Sequence, residues 1–257
     1  MNKALAGKIE QLPYELLRYC GPVFVAPALD SYPERMIASG TYSLIDTGQK
    51  RLLVTCCHVW DEYQKQHDAD PNVVLALALG EGDSCIAFRN PEDHKLGINR
   101  ELDLAVFDFE PEGGVIRRGK SWFKILEWPV RKAEKGHYIV TLGFPKAFRA
   151  VAGVECKFGC VAIPLAVTDT TDRTIAAFCE KENEQVLNDL KDALAGISGS
   201  PAYRLTRSGE LRLVGFAKVG PLESVAPDRA YRGAPGSPLP AVFFTHASFL
   251  QRDGTLI

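Results

Sequence analysis

Short apolar runs, rich in β-branched and aromatic residues and separated by polar turn residues, recur through most of this chain, as strands require. The stretch "SGTYSLIDTGQKRLLVTCCHV" is two such runs around the turn "DTGQK", with β-branched and aromatic residues on either side. Comparable runs recur at Val73 to Leu79, Ser84 to Arg89 and Leu102 to Phe109. They resume after Gly136 in "GHYIVTLGFP", "VECKFGCVAI", "RTIAAFCE", "SPAYRL", "LRLVGFAKVG" and "AVFFTHA". Helical spacing is confined to three short segments, "YELLRYC", "VWDEYQKQ" and "NEQVLNDLKDAL". Many short strands with turn signals and few helices predict an all-β sandwich or barrel. The segment Glu110 to Gly136 mixes Gly, Pro and charge, which predicts a connection between two halves. Residues 1–34, closing on the Pro-rich "APALDSYPER", read as an N-terminal arm.

Composition narrows the class without choosing a function. With 257 residues, 46% hydrophobic, 9% aromatic and 24% charged, the chain can bury one large core or two smaller ones. A formal charge of −2 gives no basic footprint for nucleic acid, and the short group Arg117, Arg118, Lys120 reads as a solvated loop. No stretch reaches the roughly 20 apolar residues of a bilayer-spanning helix. The best run, "VVLALALG" from Val73, suits a buried strand, and "MNKALAGKIEQLPYELL" lacks the apolar core of a signal peptide, so a cytoplasmic location is expected. Seven cysteines then read as free thiols in a reducing compartment. The sharper alternative is zinc on Cys156 and Cys160 with Cys179 or His58. It lacks the second close pair that structural zinc usually shows, so no metal or cofactor is expected.

The densest turn signal is "AGISGSP", Ala195 to Pro201, between the acidic helix-like segment and a β-rich run. Gly, Ser and Pro there would suffice for a loop. A serine can do more if a positioned base removes its proton and a third group fixes that base's tautomer. Both partners are available: His58 closes the strand-like "RLLVTCCHV" and Asp103 opens the strand-like "DLAVFDF".

With these residues the chain resembles the trypsin-like serine peptidases of the chymotrypsin fold. "VTCCHV" resembles the family's Thr-Ala-Ala-His, "DLAV" its Asp-Leu-Ala, and "GISGSP" its Gly-x-Ser-Gly-x-Pro, in the family's order of His, Asp, Ser. "SGTYSLI", "GHYIVTLGFP" and "LRLVGFAKVG" extend the likeness over about residues 36–250. The resemblance implies an all-β fold of two six-stranded β-barrels with a few short helices, the first over 35–125 carrying His58 and Asp103, the second over 126–257 carrying Ser198. It implies Ser198 as nucleophile, His58 as base and Asp103 as its orienting partner, with the amides of Gly196 and Ser198 as the oxyanion hole. Gly196 and Gly199 then serve backbone conformation and close approach, and Ser200 is a small filler.

Departures from the family pattern carry their own expectations. Ile197 stands where activated relatives hold an aspartate that binds a freed N-terminus, so activation by N-terminal cleavage is not expected. Val59 and Leu194 stand where secreted relatives pair cysteines. Cys56 and Cys57 replace small residues beside the histidine and read as small buried hydrophobes. The resemblance puts Asp192 at the base of the specificity pocket, favouring Arg or Lys, although "NDLKDAL" also reads as an ordinary helix with exposed charges, the reading the residues favour. Phe216 to Gly220 would offer the edge strand for an extended substrate. Lys218, where relatives often have serine, would either pair with Asp103 or face solvent. The function so implied is a serine endopeptidase acting on a peptide or protein substrate, with a dedicated protein substrate or regulator, and with neither nucleic acid nor membrane as partner. The alternatives are a catalytically silent peptide-binding module of the same fold and an esterase using the same three residues.

Overall fold

The computed structural model describes residues 12–27, 36–79, 85–110, 119–152, 155–178, 195–206, 208–218 and 241–257. The first half runs β1 (Cys20–Ala26), β2 (Ala38–Asp46), β3 (Arg51–Thr55), helix α1 (Cys57–Ala69), β4 (Val74–Ala78), β5 (Cys85–Phe88), β6 (Lys95–Asn99), β7 (Leu104–Asp108) and β8 (Phe123–Lys124). The second runs β9 (Tyr138–Gly143), β10 (Arg149–Ala152), β11 (Glu155–Phe158), β12 (Val161–Thr170), β13 (Thr174–Phe178), β14 (Pro201–Leu205), β15 (Leu211–Lys218) and β16 (Ala241–His246).

The expected all-β architecture is present, with one difference of detail. The second half closes as a six-stranded barrel in the order β12-β13-β16-β15-β14-β9. The first half is a curled sheet in the order β5-β4-β1-β2-β3-β7-β6, with β8 paired to β2, and its two ends do not pair among the described residues. The β10-β11 hairpin stands apart from both.

Part of the expected arm lies inside the first sheet. β1 pairs with β2 from Cys20↔Ser43 to Val25↔Ala38, and with β4 from Val23↔Leu77 to Ala26↔Val74. Pro22 sits before the β4 ladder begins, so the N–H it lacks is not demanded on that side. The helix covers 12–16 and so only the first three residues of "YELLRYC", and Cys20 already belongs to the strand. "VECKFGCVAI" likewise divides into β11 and β12.

Lys120 corrects the expectation of a solvated basic loop. It is 6% exposed, and its Nζ donates to the carbonyls of Leu17 at 2.7 Å and Cys20 at 2.5 Å. Burial pushes its pKa down. The lysine thereby ties the segment leading into β8 to the one leading into β1. Arg117 and Arg118 lie outside the described residues, as does "NEQVLNDLKDAL".

Among the described residues the three largest apolar clusters hold the halves. One fills the curled sheet around Tyr42, Trp60 and Phe107, and one fills the barrel around Ile163, Ile175 and Phe244. The third contains Leu16, Val54, Leu142, Tyr203 and Phe216, residues of both halves, and so joins them. Among the described residues no helix is long and apolar enough to cross a membrane.

Candidate active site

β3 ends at Thr55, and His58 lies in the first turn of α1 rather than closing the strand as expected. Cys56, the residue that caps α1, makes no side-chain capping bond, so the first amides of the helix need an acceptor from elsewhere. Asp103 supplies one. Its Oδ1 accepts the His58 backbone N–H at 3.1 Å, and its two carboxylate oxygens lie 3.0 and 3.1 Å from His58 Nδ1. One carboxylate thus fixes both the start of the helix and the ring it carries. Nδ1 carries a proton toward Asp103, which leaves Nε2 as the face available for chemistry.

Asp103 is itself held in an uncommon conformation, with φ of 53° in the left-handed region, immediately before β7. Barrel residues grip the two positions before it. Thr245 Oγ1 donates to the Leu102 carbonyl at 2.6 Å, Lys218 Nζ donates to the Glu101 carbonyl at 2.6 Å, and Arg173 pairs with the Glu101 carboxylate. Lys218 therefore follows neither expected course: it contacts the backbone that leads into Asp103.

The "GISG" turn is anchored to β2 from the opposite half. The Thr41 N–H donates to the Ser198 carbonyl at 2.8 Å, Thr41 Oγ1 donates to the Gly196 carbonyl at 2.9 Å, and Ser43 Oγ donates to the Gly199 carbonyl at 2.9 Å. Thr55 Oγ1 closes the set by donating to the Thr41 carbonyl at 2.9 Å. Sequence reasoning missed these three hydroxyls. Their signal was there: "GTYSL" places Thr41 and Ser43 on one face of an otherwise apolar strand, and all three are fully buried.

Gly196 and Gly199 both have positive φ, 103° and 84°. A Cβ on Gly199 would collide with the Thr41 carbonyl and stand 3.0 Å from Cys56 N, so glycine lets the turn lie directly against the loop that precedes His58. A Cβ on Gly40 would meet Cys56 Sγ at 3.1 Å and the Ser198 carbonyl at 3.2 Å, so glycine lets both pack against β2. Among the described residues nothing accepts the N–H of Gly196 or Ser198. An oxyanion site needs donors of this kind, and the expectation places Gly196 and Ser198 there.

One contact was not foreseen. His58 Nε2 faces Cys56 Sγ at 3.4 Å, and among the described residues no hydrogen bond joins His58 to Ser198 Oγ. Burial pushes the His58 pKa down, but its bonds and charge interactions with Asp103 and Cys56 outweigh that and push it up to about 10. Cys57 turns away and donates weakly to Asp61 at 3.7 Å, and burial foremost pushes its thiol up to about 12.

Ile197 is fully buried in the barrel core, so apolar packing fixes the residue before Ser198. Ser200 is also fully buried, and among the described residues its Oγ has no hydrogen-bond partner. Ser200→Ala is therefore expected to leave stability unchanged or raise it by about 1 kcal/mol, as read from urea midpoints.

The remaining specificity positions fall differently. Phe216 does not begin an open edge: it pairs with Pro201 on one side and Thr245 on the other, and its ring is buried in the core shared by the two halves. Ala217 is likewise occupied, accepting from Gly199 N–H at 2.9 Å and donating to the Ser200 carbonyl at 2.7 Å. Asp192, Leu194, Gly220 and Cys179 lie outside the described residues.

The closed barrel and the curled sheet together give the chymotrypsin-like, all-β fold. Solved structures with this architecture include the serine protease AL20 from an extremophilic microorganism, at 16% identity and a TM-score of 0.46, with 89% of this chain and 90% of that one covered. They also include Deg5, at 13% identity and a TM-score of 0.51, with 85% and 87% covered. No protein-family profile and no curated protein sequence matches the chain.

Proposed function

We propose that this protein is a serine endopeptidase that cleaves peptide bonds through an acyl-enzyme on Ser198. The observation that carries the reading is the His58–Asp103 pair, 3.0 Å apart, at the loop against which the Ser198 turn is packed. In this reading His58 Nε2 takes the hydroxyl proton as Ser198 Oγ attacks the substrate carbonyl, and Asp103 stabilises the imidazolium so formed. The amides of Gly196 and Ser198 receive the developing oxyanion. His58 then gives its proton to the leaving amine, and water repeats the sequence on the acyl-enzyme to release the acid and regenerate the hydroxyl. No step calls for a cofactor. A pocket carboxylate at Asp192 would favour Arg or Lys before the cut, and the thiols Cys20, Cys56, Cys57 and Cys160, none in a disulfide, suit a reducing, cytoplasmic setting. A dedicated protein substrate or regulator belongs to the same reading.

A second reading rests on the orientation of His58. With Nε2 on Cys56 and not on Ser198, the site also fits a silent fold that holds a peptide without cutting it. A fluorophosphonate probe separates the two. Labelling that disappears in Ser198→Ala and survives in Ser200→Ala is expected. Folded wild type that binds peptide and takes no label over the whole pH range would decide for the silent module.

A further inference from the structure

His58 has a single ring nitrogen to spend on the nucleophile, and in this structure that nitrogen is occupied. Nδ1 is committed to Asp103, so any partner of Nε2 other than Ser198 competes with the reaction. Cys56 is that partner, and its place leaves it little freedom. It is fully buried, fixed at the junction of β3 and α1, and closed in by Gly40, where even a Cβ would stand 3.1 Å from its sulfur. Its backbone is pressed against Gly199, so it moves only with the turn that carries the nucleophile. His58 is the looser member, its side chain 48% exposed.

We propose that Cys56 is a positioning residue that holds His58 in a resting orientation, its sulfur filling the Nε2 face that Ser198 Oγ must reach. The proposal rests on the peptidase reading above and adds to it a built-in brake. With Nε2 turned to the sulfur across the 3.4 Å contact, its one hydrogen-bonding direction is spent on Cys56 and not on the serine. Productive binding must exchange one partner for the other. The exchange is a rotation of the exposed ring about its side-chain bonds, with the Asp103 contact as pivot. Small apolar side chains at this position would leave Nε2 open from the start. The upward push of Cys56 on the His58 pKa agrees with a resting ring that is cationic and unable to act as a base at neutral pH.

The test compares full-length wild type, Cys56→Ala and Cys56→Ser by two measurements. One is the titration of the His58 ring nitrogens by NMR, with the signal assigned through His58→Gln. The other is the rate of fluorophosphonate labelling between pH 6 and 10. Cys56→Ala is expected to lower the His58 midpoint by at least one pH unit. The labelling profile should move with it, giving a gain of about tenfold or more near pH 7. A merely structural cysteine would change stability and leave both midpoints in place. Cys56→Ser, which keeps a hydrogen-bonding group on a shorter bond, is expected to fall between the two, and it serves where alanine compromises folding. A midpoint that stays within 0.3 units in Cys56→Ala, with labelling intact, overturns the brake and leaves the peptidase standing. A midpoint that moves while no variant labels upholds the Cys56–His58 contact and overturns the peptidase.

Discussion

Gly199→Ala is expected to cost about 3–5 kcal/mol of folding stability and to abolish labelling at Ser198. Part of that cost is backbone conformation, because the left-handed region disfavours an L side chain by about 1–2 kcal/mol. The rest is contact: the new methyl would overlap the Thr41 carbonyl and stand 3.0 Å from Cys56 N and 3.1 Å from Thr55 Cα, all of it backbone that cannot rotate away. Gly48 isolates the first component. It has φ of 81° in an exposed turn, and a Cβ there meets nothing within 4 Å, so Gly48→Ala should cost only the conformational part. Urea unfolding of both variants checks the difference. Equal losses at the two sites would mean that the turn is not packed on the loop before His58 as described.

Such a loss would reach the chemistry because the site is an interface between the halves. β2 lends Thr41 and Ser43 to the serine turn, and the barrel lends Thr245 and Lys218 to the aspartate loop. Each half therefore braces the segment that carries the other's candidate site residues. The apolar core that includes Leu142 and Phe216 together with Val54 makes this mutual support rigid.

The sequence was informative where chemistry or period is local. "TCCH", "DLAV" and "GISGSP" each keep their groups within a few residues, and the apolar, β-branched runs of β2, β3, β7 and β9 are bounded clearly enough to read directly. β1 was hidden because "CGP" carries two residues that ordinarily break strands. Only the pairing pattern shows that Pro22 lies before the β4 ladder starts. Lys120 was misread for a related reason: a lysine in a Gly- and Arg-rich segment looks solvated, and only the folded chain brings the carbonyls of Leu17 and Cys20 to its ammonium. Phe216 shows the limit from the other side. A motif can locate the strand beside the nucleophile, but whether a residue of it has a free edge depends on neighbours remote in the chain, here Pro201 and Thr245. The Cys56–His58 contact combines both difficulties, since adjacency in sequence says nothing about which ring nitrogen a thiol will meet.

Asp103→Asn is expected to lower the labelling rate and any peptide turnover by about four orders of magnitude while the protein stays folded. Both carboxylate oxygens are in use, one of them twice: Oδ1 accepts from the His58 backbone N–H and lies near Nδ1, and Oδ2 lies 3.0 Å from Nδ1. An asparagine offers one acceptor and one donor. If its oxygen keeps the backbone N–H that opens α1, its NH₂ group faces Nδ1 and forces the proton onto Nε2, where it blocks uptake of the serine proton. The direction of the effect separates this account from a simple pKa argument. Asp103 helps hold the His58 pKa up, so removing its charge lowers the midpoint and enlarges the neutral fraction at pH 7. If charge state alone governed reactivity, Asp103→Asn would label faster there than wild type. Because the tautomer governs, it should label far more slowly at every pH, with no recovery as the pH rises to 10. NMR should show a lowered His58 midpoint with the proton resident on Nε2. A variant that gains activity near neutrality would show that Asp103 does not orient the ring.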